Sequence, residues 1–143
     1  MATLTHPALS TPKKLVAGIV GGIAGGIIFG AMMGAMGMLS MIAGLAGSQS
    51  ALVGFLIHML IASFIGATFA LLFGSRITQY PSGLGWGAIY GAIWWVLGPL
   101  LIMPAMMGMP LFTINQTSIV SLLGHIMYGV AMGLAYTWYI MRN

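Results

Sequence analysis

Four apolar runs, separated by short polar or glycine-rich breaks, organise this chain. They cover about 15–39, 51–73, 84–107 and 119–141. Each reaches the roughly 20 residues that a helix needs to cross a bilayer core. Each is expected to be helical, because hydrocarbon offers no partner to an unpaired N–H or C=O. Residues 1–12 are polar and hold Pro7 and Pro12, so they read as an N-terminal tail. Lys13 and Lys14 ahead of the first run match the basic start of a secretory signal, but the run is too long for a signal's apolar segment. A retained first helix is expected. The predicted fold is an all-α integral membrane protein with four transmembrane helices in one domain, 1–143.

Composition sharpens this picture. The chain has 143 residues, 60% hydrophobic and only 3% charged. A soluble domain carries about 25% charged residues, which keep its surface solvated. Four charged side chains cannot coat such a surface. There is no Asp or Glu, so no carboxylate pair does acid–base work and no carboxylate cage holds Ca2+ or Mg2+. A driven pump is disfavoured too, since intramembrane proton relays commonly use Asp or Glu. Without Cys there is no thiolate nucleophile, disulfide or iron–sulfur ligand. No catalytic residue and no enzyme activity are expected, and no metal site is assigned.

The net charge of +4 is a matter of topology and not a nucleic-acid footprint. Lys13 and Lys14 precede the first run, Arg76 lies between the second and third, and Arg142 follows the fourth. The connections 40–50 and 108–118 carry no charge. Loops rich in Lys and Arg stay on the cytoplasmic side. Both termini and the middle loop are therefore expected to be cytoplasmic, in a multi-pass protein of the cell inner membrane. The helices then form two tandem, similarly oriented hairpins, 13–76 and 80–143.

The two halves also align with each other. His58 and His125 are 67 positions apart. At that offset Gly18 meets Gly85, Ala24 meets Gly91, Met36 meets Met103, Gly66 meets Gly133 and Phe69 meets Tyr136. Chance matches come easily in a chain with 22 Gly and 14 Met. The aligned histidines and the shared layout favour an internal duplication. Tandem units of one orientation have a pseudo-axis along the membrane normal.

The first run carries Gly18, Gly22, Gly26, Gly30 and Gly34 at four-residue spacing, with Gly21 and Gly25 in a second row. Residues four apart share a helix face, so the stripe is a smooth groove. Small faces let helices approach closely in lipid. The groove packs a helix of this chain or takes a partner protein, a lipid or a flat cofactor. The third run has a shorter version in Gly83, Gly87 and Gly91.

His6 lies in the tail and reads as inert. His58 and His125 each lie about seven residues inside a helix, on the order of 10 Å from its outer end. Ionisable side chains at such depth face the bundle interior. A small residue precedes each by one turn, Gly54 before His58 and Ser121 before His125, and Gly129 follows His125. Either each imidazole bonds a neighbouring hydroxyl or carbonyl, with Ser63, Ser121 and Tyr128 nearby, or it binds a ligand. Small-x-x-x-His resembles the pigment-ligating element of light-harvesting antenna helices. Two histidines at equal depth are similar to the bis-histidine haem sites of membrane cytochromes b. Those resemblances imply haem b or chlorophyll held by His58 and His125, with Gly54, Ser121 and Gly129 beside the ring. Thioethers suit Cu(I), but Met32, Met33, Met36, Met38 and Met41 read first as flexible packing.

Pro99 and Pro104 predict that the third helix bends or unwinds from about Gly98. Segments 39–50 and 105–116 are too apolar for free loops and read as interfacial. Trp86, Trp138, Tyr80 and Tyr139 fit an aromatic belt near the cytoplasmic face. Trp94 and Trp95 lie deeper and face either a partner or ring ligand or, as the commoner case, lipid.

The whole chain resembles small four-helix inner-membrane proteins of bacteria that carry a His-x-x-x-Gly-x-x-x-Gly helix. His125, Gly129 and Gly133 fit that pattern; after His58 only Gly66 does, with Ala62 at the other position. The resemblance implies a fold and no activity. Three functions are ranked. First is a non-catalytic accessory or structural subunit of a larger, energy-transducing membrane complex, photosynthetic or respiratory, whose partners are lipid and other transmembrane subunits. Second is a tetrapyrrole carrier. Third is a small passive channel or transporter.

The absence of Cys makes the topology testable. Ser75→Cys is expected to react with a membrane-impermeant maleimide only from the cytoplasmic side, and Thr113→Cys only from the opposite side. Labelling of both from one side would overturn the orientation.

Overall fold

The computed structural model describes residues 10–142. The readings of His6 and Pro7 lie outside the described residues. Every regular element among the described residues is helical: α1 (Thr11–Ala35), α2 (Leu39–Ala43), α3 (Ala51–Phe73), α4 (Tyr80–Leu97), α5 (Met103–Met107) and α6 (Gln116–Arg142). A 3-10 turn, Gly44–Ala46, follows α2 and another, Gly74–Arg76, follows α3. A π-helical turn, Gly98–Ile102, joins α4 to α5. With these turns included, four helices are long and apolar enough to cross a membrane: Thr11–Ala35, Ala51–Arg76, Tyr80–Met107 and Gln116–Arg142. This is the architecture of a multi-pass membrane protein.

Local chemistry sets the ends. α1 starts inside the segment expected as tail, because Pro12 fills its first turn, where a missing N–H costs nothing. It stops at Ala35, earlier than the apolar run, and the chain turns at Gly37 with φ 69°. With no acidic residue to cap them, two N-termini use neutral side chains. Gln79 and Ser82 form a reciprocal cap on α4. At α6 the Ser118 amide donates to Asn115 Oδ1 at 2.9 Å, and the Asn115 amide donates to Ser118 Oγ at 2.8 Å. At the other end of α3, Arg76 donates to the Leu72 carbonyl at 2.9 Å, meeting an acceptor the helix leaves open. The predicted break falls at Gly98, where Pro99 removes a hydrogen bond and the helix widens into the π turn.

Packing is organised by α1, which uses both glycine rows. The first row meets α3 running antiparallel. A β-carbon on Gly18 would fall on the Gly66 carbonyl, one on Gly22 on the Ala62 carbonyl, and one on Gly26 within 2.8 Å of Ala62 Cβ. The second row meets α6: β-carbons on Gly21 and Gly25 would lie 2.7 Å from the Met132 carbonyl oxygen and 2.5 Å from that of Tyr128. At Gly18, Gly22, Gly26 and Gly30 the first row is covered by α3 of the same chain. Gly34 stands apart, 3.5 Å from a Leu39 methyl and from no backbone.

α4 and α6 repeat this contact with Gly83 on Gly133, Gly87 on Gly129, and Gly91 on the His125 carbonyl. Equivalent glycines are thus 65 positions apart between α1 and α4 (Gly18 and Gly83) but 67 apart between α3 and α6 (Gly66 and Gly133). The constant offset expected from the sequence pairs Gly18 with Gly85, which meets nothing within 4 Å. The register differs by two residues in the first helix of each half.

α3 and α4 do not approach each other in this way. Aromatic side chains fill the space between them: Phe73 stacks on Trp86 with centroids 4.8 Å apart, and Tyr90 packs against Phe69 and Phe73. Thr68 and the Tyr90 hydroxyl, 2.8 Å apart, bridge the gap. Lys14 lies beside Gly74 and Arg76 beside Trp86, so the antiparallel packing gathers the four cations at one end of the bundle.

Gly66→Val is expected to cost about 3 kcal/mol, since overpacking here must push the α1 and α3 backbones apart. Gly85→Ala is expected to stay within about 0.5 kcal/mol of the parent. Unfolding titrations in mixed micelles measure both; equal stability of the two variants would refute the packing scheme.

Candidate functional site

The uncharged end of the bundle encloses a cavity of about 560 Å³. It exists because the two uncharged connections fold over that end. α2 leans on α3, where the Leu39 carbonyl sits against Gly54, and a Met107 methyl reaches within 3.6 Å of the β-carbon position of Gly44. Behind them lies the π turn of the third span, whose Gly98, Pro99 and Ile102 line the space. Seven of the 14 methionines line the space: Met33, Met38, Met41, Met103, Met106, Met107 and Met109. Thioether side chains are flexible and polarisable, so such a lining repacks around different contents.

Both membrane-depth histidines line this cavity, with different bonding. His58 Nε2 donates to the Gly26 carbonyl of α1 at 2.9 Å. Glycine at position 30, one turn on, makes room for the ring, whose Cδ2 lies 3.2 Å from the Gly30 β-carbon position. His125 bonds within its own helix, Nδ1 to the Ser121 carbonyl at 2.7 Å. A carbonyl only accepts, so Nδ1 carries the proton and Nε2 of the neutral ring keeps its lone pair. Of the hydroxyls considered as partners, Ser121 Oγ lies 3.3 Å from His125 Nδ1. Ser63 instead donates to the Met59 carbonyl and Tyr128 to that of Ala62.

Phe29 of α1 separates the two imidazoles. Its ring meets His58 edge-on at 5.6 Å and His125 at 4.8 Å between centroids. The pair therefore does not face one empty slot, as two axial ligands of one macrocycle must. Gly54 is closed by Leu39 and Gly129 by the Gly87 carbonyl, so neither offers the flat face expected beside a ring. Of the proposed ring-side residues, only Ser121 lines the cavity. Among the described residues no group of three or more His, Cys, Asp or Glu could hold a metal ion.

Trp94 and Trp95 are both half-buried. Trp95 Nε1–H donates to the Ser118 carbonyl at 2.7 Å, tying α4 to the start of α6. Trp94 lines the cavity, and its Nε1–H is buried without an acceptor. The sequence pattern holds no signal for either, because hydrophobic periodicity does not resolve the polar edge of an indole. Elsewhere in the spans, Thr68 bonds to Ile65 and Thr137 to Gly133 within their own helices, while the Tyr136 hydroxyl is buried without a partner.

The chain matches no protein-family model, no curated protein and no solved structure. The site thus rests on its own geometry.

Trp95→Phe is expected to cost about 1 kcal/mol through loss of one hydrogen bond. Micelle unfolding measures it, and a stability equal to the parent would show that the Ser118 contact does not hold the two helices.

Proposed function

We propose that this protein is a non-catalytic multi-pass membrane protein that holds a small apolar molecule in the cavity at the uncharged end of its bundle. The observation that carries the reading is the cavity itself. Its volume falls within the roughly 300–1,000 Å³ of small-molecule sites, and its wall is apolar with a few polar groups, as such sites are. No cationic or anionic side chain lines it. The contents are therefore neutral and come from the membrane or its surface.

Topology belongs to the same proposal. The four cations gather at one end, which the distribution of Lys and Arg assigns to the cytoplasmic face of an inner membrane. The cavity then lies toward the opposite face. Two like-oriented hairpins, 13–76 and 80–143, account for the matching glycine contacts of α1 with α3 and of α4 with α6. Membership of a larger energy-transducing assembly, as an accessory subunit, is the second reading; the glycine face of α1 that could have docked such a partner is filled by α3.

Gly98 supplies the test. Its φ of −73° lies outside the left-handed region, and its β-carbon position has only His125 Nε2 near it, at 4.0 Å. A larger side chain there grows into the cavity. The purified parent protein is expected to retain a near-stoichiometric small molecule, seen by native mass spectrometry, and Gly98→Phe is expected to lose it. Equal retention by both proteins, or none by the parent, would sink the reading. A Soret band abolished by His125→Ala would replace it with tetrapyrrole binding.

A further inference from the structure

One group on the cavity wall has hydrogen-bonding capacity that the protein does not use. His125 Nε2 is an acceptor, because Nδ1 is committed to the Ser121 carbonyl. No donor among the described residues bonds it. Trp94 Nε1–H also lacks an acceptor, but it is shielded from the cavity space. Across the cavity, the Gly98 β-carbon position on the third span lies 4.0 Å from His125 Nε2. An acceptor left unused in an apolar site costs free energy that a ligand with a matching hydroxyl recovers.

The rest of the wall narrows the ligand further. It is partly aromatic, with Phe29 against His125 and Phe64 edge-on to Trp94 at 6.4 Å. Planar rings pack well against such neighbours. An ionic headgroup would enter without a counter-charge, which is costly in a low-dielectric site. The cavity also reaches the outer surface. Ile61, Phe64, Ile102 and Met106 line it and are 39%, 60%, 44% and 65% exposed, on the surface that faces hydrocarbon between α3 and the outer part of the third span.

We propose that the cavity takes a neutral quinol-type ligand, a planar ring with a hydroxyl and an apolar chain. The hydroxyl donates to His125 Nε2, and the chain leaves sideways past Phe64 and Ile102 into the bilayer. This names the ligand class of the site described above and rests on the ligand-holding reading.

The experiment uses the full chain in phosphatidylcholine nanodiscs under argon, with decylubiquinol and its di-O-methyl ether as probes. The ether keeps ring and chain but has no hydroxyl to donate. The parent protein is expected to bind the quinol about tenfold more tightly than the ether. His125→Phe is expected to bind both equally. His125→Gln, which keeps an acceptor in a polar side chain, is expected to retain some of the preference and stands in should the Phe variant not fold. Equal binding of quinol and ether by the parent, or an undiminished preference in His125→Phe, overturns the proposal. If both probes bind without preference and Gly98→Phe blocks both, only the quinol assignment fails. If neither binds the parent, the ligand-holding reading fails with it.

Discussion

Backbone-to-backbone contact across glycine is the interaction on which this structure depends. In hydrocarbon an apolar side chain gains little by leaving lipid for protein, so helices associate through close van der Waals contact and not through hydrophobic burial. α1 makes such contact twice, with α3 through one glycine row and with α6 through the other. A single β-carbon on either row would strike a carbonyl of the neighbouring helix. α4 makes the same contact once, with α6. The chain of contacts α3–α1–α6–α4 is therefore close everywhere except between its two ends.

That exception produces the site. α3 and α4 lack a shared glycine face, so the gap between them is left to side chains. Toward the charged end, Phe69, Phe73, Trp86 and Tyr90 close it. Toward the uncharged end, beside the π turn at Gly98–Ile102, lies a cavity lined with methionine. Phe29, held on α1 between the two histidines, keeps them apart and leaves one imidazole nitrogen of His125 facing the space. The cavity is thus a consequence of where the close packing stops.

Polar groups follow one economy throughout. With no carboxylate available, helix starts are capped by Gln79 and Asn115 and a helix end by Arg76. Ser63 and Thr137 return to carbonyls of their own helices, and Tyr128 reaches a carbonyl of α3. The Tyr136 hydroxyl and the Trp94 N–H are buried without a partner, whereas the unpaired imidazole nitrogen of His125 borders the cavity, where a ligand can reach it.

The sequence by itself determined the four apolar helices, the segregation of the cations, the break at Gly98 and the presence of a close-packing face on α1. Each follows from a local property: run length against bilayer thickness, charge placement, the missing N–H of Pro99, and a four-residue glycine period. Only the tertiary structure decided which helix fills each glycine row, the two-residue difference in register between the halves, the hydrogen bond of Trp95 to Ser118, and the wedge of Phe29 between His58 and His125. Periodicity names the face of a helix but not its partner, because rotation and axial shift are set by contacts between residues far apart in the chain. For the same reason the candidate site was half legible: depth marked the histidines, whereas their partners and the closure of Gly54 and Gly129 depended on the neighbours that packing brought to them.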